Sequence, residues 1–182
     1  IERAVKKSYD ENAENYEEVR YEGFGIEGIG IIVESLTDNR NRTAGDIRSI
    51  FSKHGGNLGE TGSVSFMFNH LGIIKFSSEA GSFEDVFEIA TDAGALDCDI
   101  TDDGFEISCS TGDLHQVAEI IESNVKIPIT AQLSWRPSNQ IPLDKEKALK
   151  VLGMIDVLDD HDDVQEVFAN FDLPEEIFNE VS

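Results

Sequence analysis

Between Gly72 and Trp135 the spacing of apolar residues switches repeatedly between two periods, and the order of the switches restricts the fold more than any other feature of the chain. Residues 72–76 read as a strand. Residues 83–92 follow Ser82 with helical spacing and carry Asp85 three residues after that cap. Residues 96–101 and 105–110 read as strands about a turn at Asp103-Gly104. Residues 114–123 place Leu114, Val117, Ile120 and Ile121 on one helix face behind Asp113, and residues 129–135 close the set as a strand. The order is β-α-β-β-α-β, the ferredoxin-like arrangement, in which two helices cover one face of a sheet.

The flanks do not repeat this order. Before the set, residues 16–24 and 28–37 read as strands joined by a turn at 25–27. Residues 41–54 read as a helix with Ile47, Ile50, Phe51 and His54 on one face. Thr43 with Asp46 resembles a capping box there, and Gly55-Gly56 ends the helix. Residues 63–68 alternate as a strand that turns at Asn69-His70. After the set come a helix at 145–159 behind Asp144 (Ala148, Val151, Leu152 and Ile155 on one face), a strand at 164–170 and a short helix at 174–181. Neither flank has enough helix to cover a sheet alone. The sequence therefore predicts an α+β fold of two α/β lobes, a split domain of residues 16–70 plus 138–182 and a ferredoxin-like unit of residues 71–137 inserted into it.

The formal net charge is −23, with 37 acids against 14 Lys and Arg. Residues 39–59 stand apart, with Arg40, Arg42, Arg48 and Lys53 against one acid, Asp46. That island carries +3 and leaves −26 to the rest. Four cations neutralise about four phosphates, a salt slope of roughly −3.6, so the charge balance argues against broad non-specific nucleic-acid binding. A local contact is the expectation, made by Asn39, Arg40, Arg42, Arg48 and Lys53 with help from the amides at the helix N-terminus. A structural role is the competing expectation, with Arg40 and Arg42 pairing to acids of the inserted lobe and clamping the lobes together.

Other motifs carry less. The glycine-rich stretch 55–62 follows a helix and precedes a strand, the reverse of a phosphate-binding loop, and reads as a helix end and close turn. The acidic run 159–163 lacks the glycine and spacing of a calcium loop and reads as a solvated turn. His54, His70, His115 and His161 are scattered, no metal or nucleophile motif occurs, and Ser52 does not face His54 on a helix. The expectation is no enzyme activity, cofactor or metal. Trp135-Arg136-Pro137 suits base stacking or the end of a strand, the second being preferred. A two-residue turn at Asp103-Gly104 would set Cys98 directly opposite Cys109, as a redox switch or, the preferred reading, as two small strand residues in a reducing cytosol. With no long apolar run and no leader pattern, the expectation is a soluble, cytoplasmic protein.

Three stretches carry a family resemblance: NYEEVRYEGFG from Asn15 to Gly25, LTDNRNRTAGDIRSIFSKHGGNLGETGSVSFMF from Leu36 to Phe68, and DDVQEVFANFD from Asp162 to Asp172. Together they resemble the YebC family, whose mitochondrial relatives include the translational activator of cytochrome c oxidase. The resemblance implies a basic N-terminal helical domain followed by two α/β domains, one inserted in the other. Residues 1–15 would then be the tail of that helical domain, with Ile1–Lys7 its last, basic turns. It also implies a non-enzymatic regulator of gene expression that acts on DNA or on the translating ribosome. The location would be cytoplasmic, or mitochondrial in a eukaryotic relative. The alternative is a protein-interaction or ligand-sensing module without direct nucleic-acid contact.

Overall fold

A computed structural model describes residues 15–177. In chain order the elements are β1 (Glu17–Phe24), β2 (Gly30–Thr37), α1 (Arg40–Lys53), β3 (Asn57–Leu58), β4 (Phe68–Phe76), α2 (Phe83–Ala93), β5 (Asp97–Thr101), β6 (Gly104–Ser110), α3 (Leu114–Val125), β7 (Thr130–Pro137), β8 (Ile141–Pro142), α4 (Lys145–Asp160), β9 (Val164–Ala169) and β10 (Phe171–Asp172). The architecture is α+β. The described residues form two compact units, one running up to Phe68 and resuming at Pro137, the other formed by Asn69–Arg136.

The first unit is built on a sheet of order β3-β1-β2-β9. β1 and β2 pair antiparallel from Glu17 opposite Thr37 to Phe24 opposite Gly30, and β9 flanks β2 with Val33 opposite Val167. β2 has neighbours on both sides, which explains its Ile and Val content: Ile31, Ile32 and Val33 are all fully buried. Ile31 and Val33 face α1 and α4, where Ile47, Phe51, Ala148, Val151, Met154 and Leu158 join the same core. Each buried Ile, Val, Phe, Met or Leu among them stabilises the fold by about 1.5–3 kcal/mol. Asp144 caps α4 as its sequence predicts, its Oδ1 accepting the Lys147 N–H at 2.9 Å. β8 and β10 form a small parallel ladder of their own. Of the helix expected at 174–181, residue 174 is not helical, residues 175–177 are helical and residues 178–181 lie outside the described residues, as does the expected helical tail at Ile1–Lys7.

The second unit has sheet order β5-β6-β4-β7, which is the ferredoxin-like order for this β-α-β-β-α-β chain. α2 and α3 supply Val86, Ala90, Val117 and Ile121 to a core shared with Ile74, Phe76, Phe105 and Ile107. The Ser82 hydroxyl caps α2 as expected, accepting the Asp85 N–H at 3.2 Å. Asp113 does not cap α3 with its side chain; residues Thr111–Asp113 make a tight turn that leads straight into the helix.

Three local expectations are corrected. The β5–β6 turn is at Asp102-Asp103, one residue earlier than expected, so Cys98 lies opposite Ile107 and Cys109 lies opposite Gly72. The thiols are therefore not directly opposed, and both are free and buried. Residues 63–68 do not form a strand. Ser65–Met67 is a single tight turn, and one continuous strand, β4, begins at Phe68. Helix α1 starts one residue early, at Arg40, and its cap is Asn39; Thr43 is engaged elsewhere.

Two glycines give opposite predictions. A Cβ on Gly23 would meet the Phe51 ring and the Asn57 carbonyl oxygen, both at 2.6 Å, whereas a Cβ on Gly45 in α1 meets nothing within 4 Å. Gly23→Ala should destabilise by about 1–3 kcal/mol through overpacking. Gly45→Ala should stabilise by roughly 0.5–1 kcal/mol through helix propensity. Urea denaturation of the two variants checks both signs. Burial, with nearby aspartates adding to it, pushes both cysteine thiols above their ordinary pKa. Iodoacetamide at neutral pH should leave Cys98 and Cys109 unlabelled in the native protein and label both once it is unfolded, as read by mass spectrometry.

Candidate nucleic-acid interface

The basic island enters the structure through a tightly bonded helix start. Thr37 Oγ1 accepts the Asn39 N–H at 2.9 Å, and Asn39 Oδ1 accepts the Arg42 N–H at 3.1 Å. The Thr43 hydroxyl donates to Asp163 Oδ2 at 2.7 Å and lies 2.7 Å from Thr37 Oγ1, which donates to it. Arg42 Nη2 donates to Asp38 Oδ1 at 3.1 Å and to Asp163 Oδ2 at 3.0 Å. One residue pair away, His161 Nδ1 accepts the Asp163 N–H at 3.1 Å and Nε2–H donates to Asp46 at 2.9 Å. Burial works to raise the Asp163 carboxyl, but the Thr43 and Arg42 bonds outweigh it and hold its pKa below the ordinary value.

This arrangement sorts the five predicted contact residues. Asn39 is a cap and Arg42 is an ion-pair residue. Arg40 is more open, its Nη1 3.4 Å from Glu17 and its side chain 64% exposed. Arg48 and Lys53 are exposed and make no ion pair among the described residues. Five residues separate Arg48 from Lys53, about 140° around a helix of 3.6 residues per turn, so they flank the exposed side of α1 instead of forming one patch. The acids that pair with Arg40 and Arg42 are Glu17, Asp38 and Asp163, all in the same unit as α1. The expectation that they pair with the inserted lobe is not met.

The acidic run 159–163 is thus not merely solvated: Asp163 and His161 fasten α1. Their partners lie 115–121 residues away in sequence, so no spacing rule could have found them. Arg42, Asp46 and residues 160–163 line a depression of about 520 Å³ whose walls are chiefly carboxylates, the wrong sign for a phosphate. Among the described residues no group of three or more His, Cys, Asp or Glu is placed to hold a metal ion.

A second set of residues escaped the sequence reading. The Glu22 side chain is 1% exposed, yet it accepts N–H bonds from Gly62 at 2.8 Å, Val64 at 3.1 Å and Ser65 at 2.7 Å, with Arg20 Nε at 3.1 Å. The glycine-rich loop therefore does offer a cluster of amides to an anion, and the anion is the protein's own carboxylate. Burial alone would raise the Glu22 pKa, but these donors outweigh it and lower it. Gly30 lets the loop lie against β2, its Cβ position being only 3.3 Å from Met67 and Val64. The loop's Thr61 also lines a depression of about 350 Å³ with Arg20, Arg40, Glu18 and Glu34. The only sequence signal was an acid within an alternating strand.

Trp135, the other candidate for stacking, is already engaged. Its ring lies parallel to His70 at 4.0 Å, it is 9% exposed, and the adjacent Arg136 pairs with Glu106.

The described residues thus form a two-unit α+β scaffold in which the basic helix α1 is pinned at its start. Residues 16–171 match the sequence profile described as the TACO1/YebC second and third domain, and the chain belongs to that family, a family of regulators and not of enzymes. It is also similar to the crystal structure of a conserved hypothetical protein, Aq1575, from Aquifex aeolicus. The identity is 40%, the TM-score 0.79, and the match covers 90% of this chain and 68% of that one. Among the described residues no helix is long and apolar enough to cross a membrane.

The buried carboxylate yields a test. Because the folded-state pKa of Glu22 is depressed, its stabilisation is fully present above the unfolded value of 4.5 and is lost as pH falls through the folded value. Glu22→Gln should cost about 1–3 kcal/mol at pH 7 by leaving buried donors poorly matched. The gap between wild type and variant in thermal or urea unfolding should shrink as pH falls below 4.5.

Proposed function

We propose that this chain is a non-enzymatic regulator of gene expression that makes a local contact with nucleic acid, as DNA or as RNA of the translating ribosome, in the cytoplasm. Arg40, Arg48 and Lys53 make the contact, while Asn39 and Arg42 hold the helix that presents them. The observation that carries this reading is the pair Arg48 and Lys53, exposed and uncommitted on a pinned helix in a chain of net charge −23. Cations left without acids in so acidic a protein are available to phosphates. Membership of a regulator family supports the reading. The split-domain arrangement suits it, with residues 16–70 plus 138–182 as the contacting domain and 71–137 as an inserted one.

The triple reversal Arg40→Glu, Arg48→Glu, Lys53→Glu should leave the melting temperature nearly unchanged, because none of the three is buried. It should weaken binding to a labelled oligonucleotide and to ribosomes, and flatten log K against log salt by about 0.7–0.9 per lost contact. Unchanged affinity in an intact fold rejects the site.

One observation favours a second reading, a protein-interaction module. On α2, Phe83 and Phe87 are 37% and 48% exposed with ring centroids 5.6 Å apart. They stand in a unit with thirteen acids against three Lys and Arg, a surface suited to a basic protein segment. On that reading the double change to alanine weakens ribosome association and leaves oligonucleotide affinity untouched.

A further inference from the structure

We propose that the outer edge of β5 accepts an extended polypeptide segment of alternating apolar and basic residues as an added strand; this rests on the protein-interaction reading above. β5 ends its sheet, and β6 is its one strand neighbour among the described residues. The hairpin closes with Thr101 opposite Gly104, and Asp99 and Asp97 follow at alternate positions opposite Glu106 and Ser108. In an antiparallel ladder closed this way those residues turn their peptide groups to β6, so Cys98 and Ile100 turn theirs to the free edge. The Cys98 N–H agrees with this, since its acceptor is the neighbouring Asp97 Oδ1 at 2.8 Å.

The two faces of β5 select the occupant. Cys98 lies under α2, in the core that holds Val86, Ala90 and Ala93. Ile100 is on the same face, yet it is 64% exposed, as is Leu96 just before the strand. α2 packs against β5 and joins it through the short turn 94–96, so the two run in opposite directions. From Ala93 back to Phe87 is about 9 Å of helix and from Asp97 on to Ile100 about 10 Å of strand, which sets Phe87 level with Ile100. The other helix packed on α2 is α3, so the exposed rings of Phe83 and Phe87 occupy the flank away from it, over the β5 edge. Asp97 and Asp99 project from the opposite face and are exposed. Among the described residues the ion pairs of this unit are Arg136–Glu106 and His115–Glu119, so neither aspartate has a cation. A strand laid along β5 alternates with the same two faces, placing apolar side chains beside Ile100 and the rings, and basic ones beside Asp97 and Asp99. A second copy of β5 would bring aspartates together on one face, which opposes self-pairing. A nucleic acid would bring phosphates to the same acids. A basic, alternating segment satisfies both faces, with main-chain bonds to the free edge supplying affinity and the alternate side chains selectivity.

The test titrates the whole chain with a fluorescent Lys-Val repeat of about eight residues, at about 0.15 M salt, and follows its anisotropy. The control peptide carries the same residues in two blocks, lysines then valines, so that its charge is equal and its alternation lost. The alternating peptide should bind about tenfold more tightly than the block peptide. The double change Asp97→Lys, Asp99→Lys should weaken it about tenfold. Ile100→Pro removes an outward N–H and leaves the bonds to β6 in place, so it should abolish the preference for alternation, whereas Ile100→Val should keep it. Unchanged melting temperatures show that the variants are folded; if Ile100→Pro melts early, the aspartate reversal and the block peptide decide. Equal affinity for the two peptides, or no loss on aspartate reversal, overturns the inference. Self-association of the chain that Phe83→Ala with Phe87→Ala abolishes makes the occupant a second copy and also overturns it. If the inference fails while those two alanines still weaken ribosome association, the protein-interaction reading survives; if they do not, both fail.

Discussion

A single carboxylate, Asp163, closes the first unit. It accepts from Thr43 and Arg42 while its own backbone carbonyl accepts the Leu36 N–H at 2.8 Å, so it joins the end of β2, the start of α1 and the approach to β9. These three pieces come from opposite ends of the chain. Without that convergence β9 would be a strand searching for an edge, and β2, apolar on both faces, would lack a partner on one side. Two donors on one half-buried anion are enough to overcome the desolvation that opposes its charge.

Glu22 uses the same physics for a different end. A charge with almost no solvent contact is tolerated because four donors converge on it, and the product of that convergence is the shape of residues 59–67. In the first unit, then, one anion fixes a helix start and another fixes a loop. The positive charges of this unit are divided accordingly. Arg42 and Arg20 serve these anions, and Arg40, Arg48 and Lys53 face outward.

What the sequence made legible follows from the range of the interactions. Periodicity is local, so the ferredoxin-like order, the α1 face of Ile47 and Phe51, and the Ser82 and Asp144 caps could all be read directly. The true cap of α1 could not, because Thr43 was drawn to Thr37 and Asp163 by tertiary structure. The apparent strand at residues 63–68 alternates for a different reason: Val64 and Phe68 pack inward, while the Val64 and Ser65 amides turn to Glu22. The Cys98–Cys109 register failed by one turn position, since Asp102-Asp103 competes with Asp103-Gly104 and only the sheet decides. The island was visible as charge, but which of its cations are paired depends partly on Asp163, 121 residues from Arg42, and not only on the nearby Asp38 and Glu17.

The sheet order of the second unit sets β4 beside β7, the strands through which the chain arrives and departs. Nearby, the Ser138 N–H bonds the Met67 carbonyl at 2.9 Å. Left unfolded, a stretch of about seventy residues would charge the first unit a loop-closure entropy of roughly 4 kcal/mol before any contact formed. Once β4 and β7 are paired, that long excursion behaves as a short, stiff clip.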